Sequence, residues 1–574
     1  MRARTIAGVL ARSRRLLPQR EDWAHVDVRR DLVAGVMVAL VALPLALGFG
    51  VSSGAGAGAG LVTAIVAGIV AAVFGGSRVQ VSGPTGAMTV VLIPIVAAHG
   101  VDGVFAVGLL AGLILLLLAV TGVGQAMRYL PLPVVEGFTL GIAVIIALQQ
   151  LPAALGVDAE GEKILALALD SVREWIADPS WAAPVTALAI SVGIVLMARV
   201  RAGFPTALLL VAAATIANVI LTDADDNAPL AAIGHLPSGL PAPSLPTIPW
   251  ADFDTLLLAA VAVAALGALE SLLSATVADA MSVGRRHDPD RELFGQGLAN
   301  IASPIFGGVP ATAAIARTAV NVRSGATSRL ASLTHALLLL VVVFVAAGWV
   351  GLIPLAALAG VLIATAVQMV RVSSLRPLLR ATRGDAASLL ITATATVLLD
   401  LVLAVFIGLV VAGFFALRET AATARMQQVS LDAGDHHDEE QRLLDEHIVV
   451  YRLDGPLIFA AAHDFLLELA EVTAVRVIVL RMAYLTTVDA TGSQVLADAI
   501  ERLERRGVTV LLSGIRPEHL PVFHEIGVHR QLAHVRHLFA TTPEAIEHAR
   551  LHASRISHAP HDLTDAPPPA EETP

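Results

Sequence analysis

Two charged side chains lie within apolar stretches of this chain, where charges are rare. Glu270 occurs in LGALESLLSATVADAM and Arg317 in AIARTAVN. An intramembrane carboxylate marks an ion or proton site, and a planar guanidinium suits the oxygens of a carboxylate, sulfate or bicarbonate. The structural alternatives are a hydrogen bond from Glu270 to a neighbouring helix and an Arg317 side chain that reaches the membrane surface. Ser274, four residues beyond Glu270 on the same helix face, is expected to share its cation or proton site.

Two segments rich in glycine and proline interrupt apolar stretches at corresponding places in the two halves of the chain. They read SGPTGAM over residues 82–88 and GGVPATAA over 307–314, and each leads into a short apolar helix. Paired interrupted helices predict a central binding site in a duplicated membrane protein, and their free N–H groups favour an anion. The candidate binding residues in these segments are Thr85, Gly86, Ala87, Ala311, Thr312 and Ala313.

Other residues support further hypotheses. Phe49, at the end of ALPLALGFG, is expected to form one wall of the site, with an aromatic ring at the membrane edge as the alternative. His335 is expected to form hydrogen bonds between packed helices. The chain has no cysteine, which excludes disulfides and thiolate sites, and we find no convincing metal-ligand, nucleotide-binding or nucleophile motif. The sequence therefore predicts neither a cofactor nor an enzyme.

The composition requires a membrane. Hydrophobic residues make up 56% of the chain, charged residues make up 15%, and the mean hydropathy is +0.75. The segment at 164–177 is amphipathic and is expected to lie at the membrane interface. About fourteen apolar stretches are long enough, or nearly long enough, to span a bilayer. They cover residues 31–50, 60–75, 85–99, 103–122, 133–151, 182–200, 204–221, 254–280, 292–304, 311–322, 328–347, 351–370, 386–400 and 401–417.

The charges of the loops predict the orientation of these spans. Loops on one side of this arrangement contain Arg78, Arg199 and Arg371, whereas the opposite loops contain acidic residues such as Asp102 and Asp158. Because cytoplasmic loops are rich in arginine and lysine, both termini are predicted to be cytoplasmic. Each half would contain seven spans, and an odd number makes the halves an inverted repeat.

Changes in composition predict the domain boundaries. We predict a cytoplasmic N-terminal segment (1–30), a transmembrane domain (31–420), a linker (421–445), an α/β domain (446–556) and a disordered tail (557–574). Alternating strand and helix patterns indicate the α/β domain. Its strands are predicted at 447–453, 475–480 and 508–512, and its helices at 462–472 and 493–506.

A predicted strand-to-helix turn of this α/β domain reads VDATGSQVL. Either Asp489 or Thr491 in this turn can cap the helix that follows. A phosphorylation or docking site at these two residues is the alternative.

These residues resemble the SulP family of anion transporters, a group of sulfate permeases, bicarbonate importers and dicarboxylate carriers. The C-terminal part looks like a STAS domain. The resemblance implies a seven-plus-seven inverted repeat with UraA-like core and gate domains, an elevator-like cycle and a homodimer. The matching stretches are ALPLALGFG, FGGSRVQVSGPTGAMTVV, PLPVVEGFTLGIAV, ALESLLSATVADAM and FGGVPATAAIARTAVNVRSGATSRL.

The resemblance also implies roles for particular residues. Phe49, Thr85, Ala316 and Arg317 match the family's anion pocket. Glu270 matches an acidic coupling residue that is usually aspartate in sodium-coupled bicarbonate members, so glutamate favours protons over sodium. Thr491 matches a serine that is phosphorylated in anti-sigma-factor antagonists.

The sequence therefore predicts a multi-pass transporter of the bacterial inner membrane that moves a small anion with protons. Sulfate, bicarbonate and C4-dicarboxylates remain open as substrates, and symport remains open against exchange. The expected partners are the bilayer, a second copy of the chain and a cytoplasmic ligand of the STAS domain, with no nucleic acid. Two other functions are a nucleobase permease of the same fold and a non-transporting anchor that presents a regulatory STAS domain.

Overall fold

A computed structural model describes most of the chain, as two units that comprise Met1–Ala412 and Gly413–Pro574. The described residues are 16–23, 26–125, 131–159, 163–200, 204–222, 229–282, 286–399, 401–422, 425–428, 443, 446–458, 475–532, 534 and 537–557. The first fifteen residues, most of the predicted linker, the helix predicted at 462–472 and the tail after residue 557 lie outside them.

The first half of the membrane unit is helical apart from one short strand. Its elements are α1 (Val28–Ser52), α2 (Ala57–Phe74), β1 (Ser82–Gly83), α3 (Gly86–Thr121), α4 (Leu132–Gln149), α5 (Leu151–Leu155), α6 (Ile164–Ala177), α7 (Ala182–Val200) and α8 (Thr206–Ile220). The amphipathic segment predicted at 164–177 is therefore helical, as α6.

The second half repeats this order of elements. It contains α9 (Phe253–Met281), α10 (Pro289–Ile305), β2 (Thr312–Ala313), α11 (Ile315–Arg323), α12 (Arg329–Gly351), α13 (Leu355–Met369), α14 (Val372–Ala381), α15 (Arg383–Leu398) and α16 (Leu401–Ala422). Within the described residues, nine helices are long and apolar enough to cross a membrane.

Each predicted apolar stretch contains a helix, with two differences in detail. The third and fourth stretches form one element, α3, whose direction changes at Gly100 because this glycine has φ 66° and ψ −169°. The tenth stretch was expected to be helical from residue 311, but its first residues are extended and include β2. They are extended because they pair with β1, as described below.

The second unit contains a sheet that has helices on both faces. Its elements are β3 (Arg425–Gln428), β4 (Ile448–Leu457), β5 (Val477–Arg481), β6 (Leu485–Val488), α17 (Ala490–Arg505), β7 (Thr509–Ser513), α18 (Leu520–Ile526), β8 (Leu538–Phe539) and α19 (Thr542–Ser557). The strand order is β3-β4-β5-β7-β8; β6 also pairs with β4, and all pairs except β3–β4 are parallel.

The alternation of strand residues builds two apolar cores in this unit. Ile478 and Leu480 of β5 pack in a cluster with Ile500 of α17, on one face of the sheet. Val477 and Val479 pack in the cluster that contains Ala545, Ala549 and Ala553 of α19, on the other face. Because both faces are covered, the parallel strands read as continuous apolar runs.

Close helix crossings in the membrane unit depend on small residues. At the crossing of α1 and α2, an added Cβ at Gly60 would lie 2.1 Å from the carbonyl oxygen of Ala46 and 2.7 Å from Cα of Gly50. Helices in membranes associate through such tight packing, because burial of apolar surface from lipid contributes little. A side chain at Gly60 would therefore separate the two helices.

We expect Gly60→Ala to destabilise the membrane unit by about 1–3 kcal/mol through overpacking. Thermal unfolding in detergent measures this change. Gly58→Ala is the matched control on the same helix, because the nearest atom to its added Cβ is 3.6 Å away. Equal melting temperatures for the two variants would contradict the close crossing.

Candidate functional site

A two-stranded antiparallel ribbon joins the two interrupted segments. Ser82 pairs with Ala313, and Gly83 pairs with Thr312. The N–H of Ala314 also donates to the carbonyl of Val81 at 2.9 Å. The sequence predicts two interrupted segments that face each other, but it carries no signal that they form a sheet.

The ribbon leads directly into two helix N-termini. Helix α3 begins after Thr85 and α11 begins after Ala314, and neither of these cap residues accepts a hydrogen bond from the first turn through its side chain. The first-turn N–H groups have no acceptor within their own helix, and the helix dipole adds partial positive charge there. Ala87, the second residue of α3, is buried, whereas Ala316, the second residue of α11, is exposed.

The carboxylate of Glu270 lies against both entrances. Its Oε2 accepts hydrogen bonds from Oγ1 of Thr85 at 2.8 Å and from Oγ1 of Thr312 at 2.5 Å. The two hydroxyl oxygens are 3.2 Å apart. Glu270 in α9 therefore contacts one residue from each interrupted segment, which brings three predicted site residues together.

Arg317 points into the protein and does not reach the membrane surface. Its side chain is almost wholly buried, and Nη2 donates to the carbonyl of Pro84 at 2.7 Å. Nη1 is buried and has no hydrogen-bond partner among the described residues. An added Cβ at Gly83 would lie 2.6 Å from Nη1, so the guanidinium occupies space that this glycine leaves open.

The hydroxyl of Ser274 bonds to a residue of α11. It donates to Oγ1 of Thr318 at 3.1 Å, and the same oxygen of Thr318 accepts from the N–H of Val81 at 3.1 Å. Ser274 therefore helps to hold the start of the ribbon. A cation or proton site shared by Ser274 and Glu270 stays a prediction.

The backbone groups of Ala311 and Ala313 form hydrogen bonds with side chains of α10 and α9. The N–H of Ala311 donates to Oδ1 of Asn300 at 2.8 Å, and Nδ2 of Asn300 donates to the carbonyl of Ala311 at 2.9 Å. The N–H of Ala313 donates to Oγ of Ser271 at 3.3 Å. Helices α9 and α10 therefore satisfy the N–H groups of Ala311 and Ala313, and a contact of these two residues with an anion stays a prediction.

Phe49 lies beside the start of α3. It is buried, and an added Cβ at Gly86 would lie 3.2 Å from Cε1 of its ring and 2.2 Å from Cδ1 of Ile146. Phe49 and Ile146 therefore form an apolar wall beside the first residue of the helix, and a place for Phe49 in a binding site stays a prediction. The sequence gives no signal for Ile146, because it is one of many branched residues in its helix.

The expectation for His335 was wrong. The side chain is fully buried in α12, but neither ring nitrogen has a hydrogen-bond partner among the described residues. It therefore makes no hydrogen bond of the kind expected between packed helices.

In the second unit, Asp489 is the N-cap of α17. Its carboxylate accepts from the N–H of Gly492 at 2.6 Å. Thr491 is exposed in the first turn of this helix. Asp489 therefore has the capping role, and the hydroxyl of Thr491 is accessible from solution.

Comparisons with known proteins identify the family of the chain and its two domains. The model of the sulfate permease family matches residues 28–392, and the STAS domain model matches residues 443–545. The putative sulfate transporter YvdB of Bacillus subtilis is 32% identical over 512 residues, which cover 88% of this chain and 94% of that protein. The bicarbonate transporter BicA of Synechocystis is 30% identical over 504 residues, which cover 85% and 88%.

Solved structures share the fold. The transmembrane domain of a cyanobacterial BicA aligns with a TM-score of 0.58 and 32% identity, over 68% of this chain and 98% of that one. The murine anion transporter Slc26a9 aligns with a TM-score of 0.78 and 17% identity over 91% of both chains, a likeness of fold alone. The predicted helical membrane fold with a C-terminal STAS domain is confirmed.

We expect Asn300→Ala to destabilise the protein and to weaken anion binding. The substitution leaves the buried N–H and carbonyl of Ala311 unpaired, at about 1–3 kcal/mol each, and releases β2. Thermal unfolding and anion-induced stabilisation measure the two effects. Asn218→Ala is the matched control, because Asn218 pairs with the backbone of Leu230 in the same two-bond manner outside the site.

Both variants are expected to lose stability, and Asn300→Ala alone to lose the response to anions. Retention of that response in Asn300→Ala would contradict the role of the ribbon in binding.

Proposed function

The chain belongs to the sulfate permease family, and we propose that it is a secondary transporter that moves a small inorganic or organic anion across the bacterial inner membrane. The family is one of transporters for anions such as sulfate and bicarbonate, not of enzymes. The substrates in this proposal are sulfate, bicarbonate and C4-dicarboxylates.

The observation that supports this function most strongly is the pair of uncapped helix N-termini beside a buried guanidinium. Two first turns supply N–H groups and partial positive charge, and Arg317 adds a full charge whose Nη1 has no partner in the described part of the chain. Phe49 supplies an apolar wall. In this proposal an oxyanion binds between Gly86 and Ala316, with Thr85 at its edge.

We propose that Glu270 couples this site to protons. An ionised carboxylate in contact with Thr85 and Thr312 would repel a bound anion through a medium of low dielectric constant. Protonation removes this repulsion, so anion and proton bind together. The hydroxyls of Thr85 and Thr312 can donate to the ionised carboxylate, and either can accept a hydrogen bond from the protonated carboxyl group.

We propose that the ribbon and its supports move as one body in an elevator-like cycle. The bonds from α9 to Ala313 and from α10 to Ala311 tie the second interrupted segment to these two helices, and the ribbon ties it to the first interrupted segment. A rigid group of this kind carries its site with it when it slides against the remaining helices. The proposal also includes cytoplasmic termini, a homodimer and a STAS domain that assists dimerisation or regulates transport.

Glu270→Gln tests the coupling. We expect an inward proton gradient to drive uptake of labelled succinate, sulfate or bicarbonate into proteoliposomes of the wild type, and this acceleration to be lost in the variant because an amide cannot ionise. Asp254→Asn is the matched control, since this acid is exposed in the first turn of the same helix. It is expected to leave the gradient response unchanged.

The other outcomes of this experiment are also informative. An uptake rate that changes neither with the proton gradient nor with Glu270→Gln would reject proton coupling and would indicate an exchanger or a uniporter. Failure to move any of the three anions would favour a nucleobase permease or a non-transporting anchor, which uptake of labelled uracil distinguishes.

Arg317→Lys tests the anion site. Lysine keeps the charge but lacks the planar fork that binds Pro84 and an oxyanion together, so we expect KM for the transported anion to rise about tenfold or more. Concentration dependence of initial uptake measures this change. Arg323→Lys, in the exposed last turn of the same helix, is the control and is expected to leave KM unchanged. An unchanged KM in Arg317→Lys would remove this residue from the site.

A further inference from the structure

Three histidines converge at one edge of the sheet in the second unit. His537 lies immediately before β8, and His548 and His552 lie one turn apart on α19. The sequence analysis found no metal-ligand motif because the first histidine is separated from the other two along the chain. The turn between β8 and α19 brings them together.

The geometry of the cluster suits a small ion. The ring centroids of His537 lie 5.7 Å from His548 and 5.1 Å from His552, and those of His548 and His552 are 4.9 Å apart. One nitrogen of each ring lies within 4.8 Å of the others. Nitrogens around a tetrahedral zinc ion are about 3.3 Å apart, given Zn–N distances of about 2.0–2.1 Å. Rotation of the rings about their side-chain torsions can shorten the distances between the nitrogens to the value that a zinc ion requires.

His537 is buried and incompletely bonded. Its side chain is 2% exposed, and Nδ1 has no hydrogen-bond partner among the described residues. A buried polar atom without a partner is unfavourable and calls for an explanation. A bound metal ion would satisfy this nitrogen, whereas packing of three rings alone would not.

We propose that His537, His548 and His552 bind one divalent transition-metal ion of the Zn²⁺ class. Imidazole nitrogens suit zinc, copper and nickel, whereas calcium and magnesium prefer oxygen ligands. Three histidines leave one coordination position for water or an exogenous ligand. The ring of Phe539, 5.1 Å from that of His548, lies on one side of the site.

The ion would fasten the C-terminal helix to the sheet. His537 is adjacent to β8 and the other two ligands belong to α19, so one ion joins two elements that otherwise meet through small apolar contacts such as Ala545 and Ala549. Since the ion binds the folded state, it stabilises that state by mass action. This site is separate from the anion site, and its test does not depend on transport.

Calorimetric titration with Zn²⁺ tests the proposal on the full chain in detergent, purified without a polyhistidine tag. We expect one ion per wild-type chain and about tenfold or more weaker binding in each of His548→Ala and His552→Ala. The matched control is His524→Ala with His529→Ala, because these two rings stack at 4.9 Å and no third histidine joins them among the residues that the structure describes. The control is expected to bind as the wild type does, and Mg²⁺ is expected to give no heat of binding.

A second readout guards against variants that fail to fold. We expect Zn²⁺ to raise the melting temperature of the wild type and of the control, and to leave that of His548→Ala and His552→Ala unchanged. Bound Co²⁺ should give the visible absorption of a tetrahedral nitrogen site in the wild type and in the control. The variants His548→Ala and His552→Ala should lack this absorption. Zinc binding of equal affinity and stoichiometry in wild type and both ligand variants would overturn the proposal.

Discussion

Helices α3 and α11 begin inside the membrane unit, and the unpaired backbone groups at their N-termini constrain the residues around them. In hydrocarbon, each unpaired N–H or carbonyl costs several kcal/mol, so irregular backbone survives only where the protein supplies partners. The ribbon of Ser82–Gly83 and Thr312–Ala313 supplies part of them, and Asn300 supplies another part. The first-turn N–H groups of α3 and α11 have no acceptor within their own helices, and the proposed anion would supply one.

Two buried arginines of this unit, Arg291 and Arg317, have different hydrogen-bond partners. Arg291 donates from both terminal nitrogens to Asp22, at 2.9 and 2.6 Å. Burial raises the pKa of this aspartate, but hydrogen bonds from Arg291 and from the N–H of Gln19, together with the charges of Arg291 and Arg329, hold the pKa below its ordinary value. Among the described residues, Arg317 donates from Nη2 to the carbonyl of Pro84, and its Nη1 has no partner. The first arrangement is a bidentate ion pair, whereas the second leaves a terminal nitrogen for the proposed anion.

Much of the fold follows from patterns that span many residues. Apolar length located the membrane helices, and amphipathic periodicity located α6 at its observed bounds. Glu270 and Arg317 were identifiable because a charge is conspicuous in apolar sequence. Strands of two residues have no periodicity, so the ribbon was not predictable. The bond from Ser274 to Thr318 was not predictable, because helix spacing reports which residues share a face and says nothing of a partner on another helix.

The pairing of β1 with β2 has a consequence for biogenesis. Val81 and Thr318, which bond at the start of the ribbon, are 237 residues apart. During synthesis, the first interrupted helix must therefore enter the membrane long before its partner strand exists. Its polar groups need provisional partners in that interval, such as water, lipid headgroups or the insertion machinery. Maturation of the first half is thus tied to completion of the second, and truncated chains would be exposed to quality-control proteolysis.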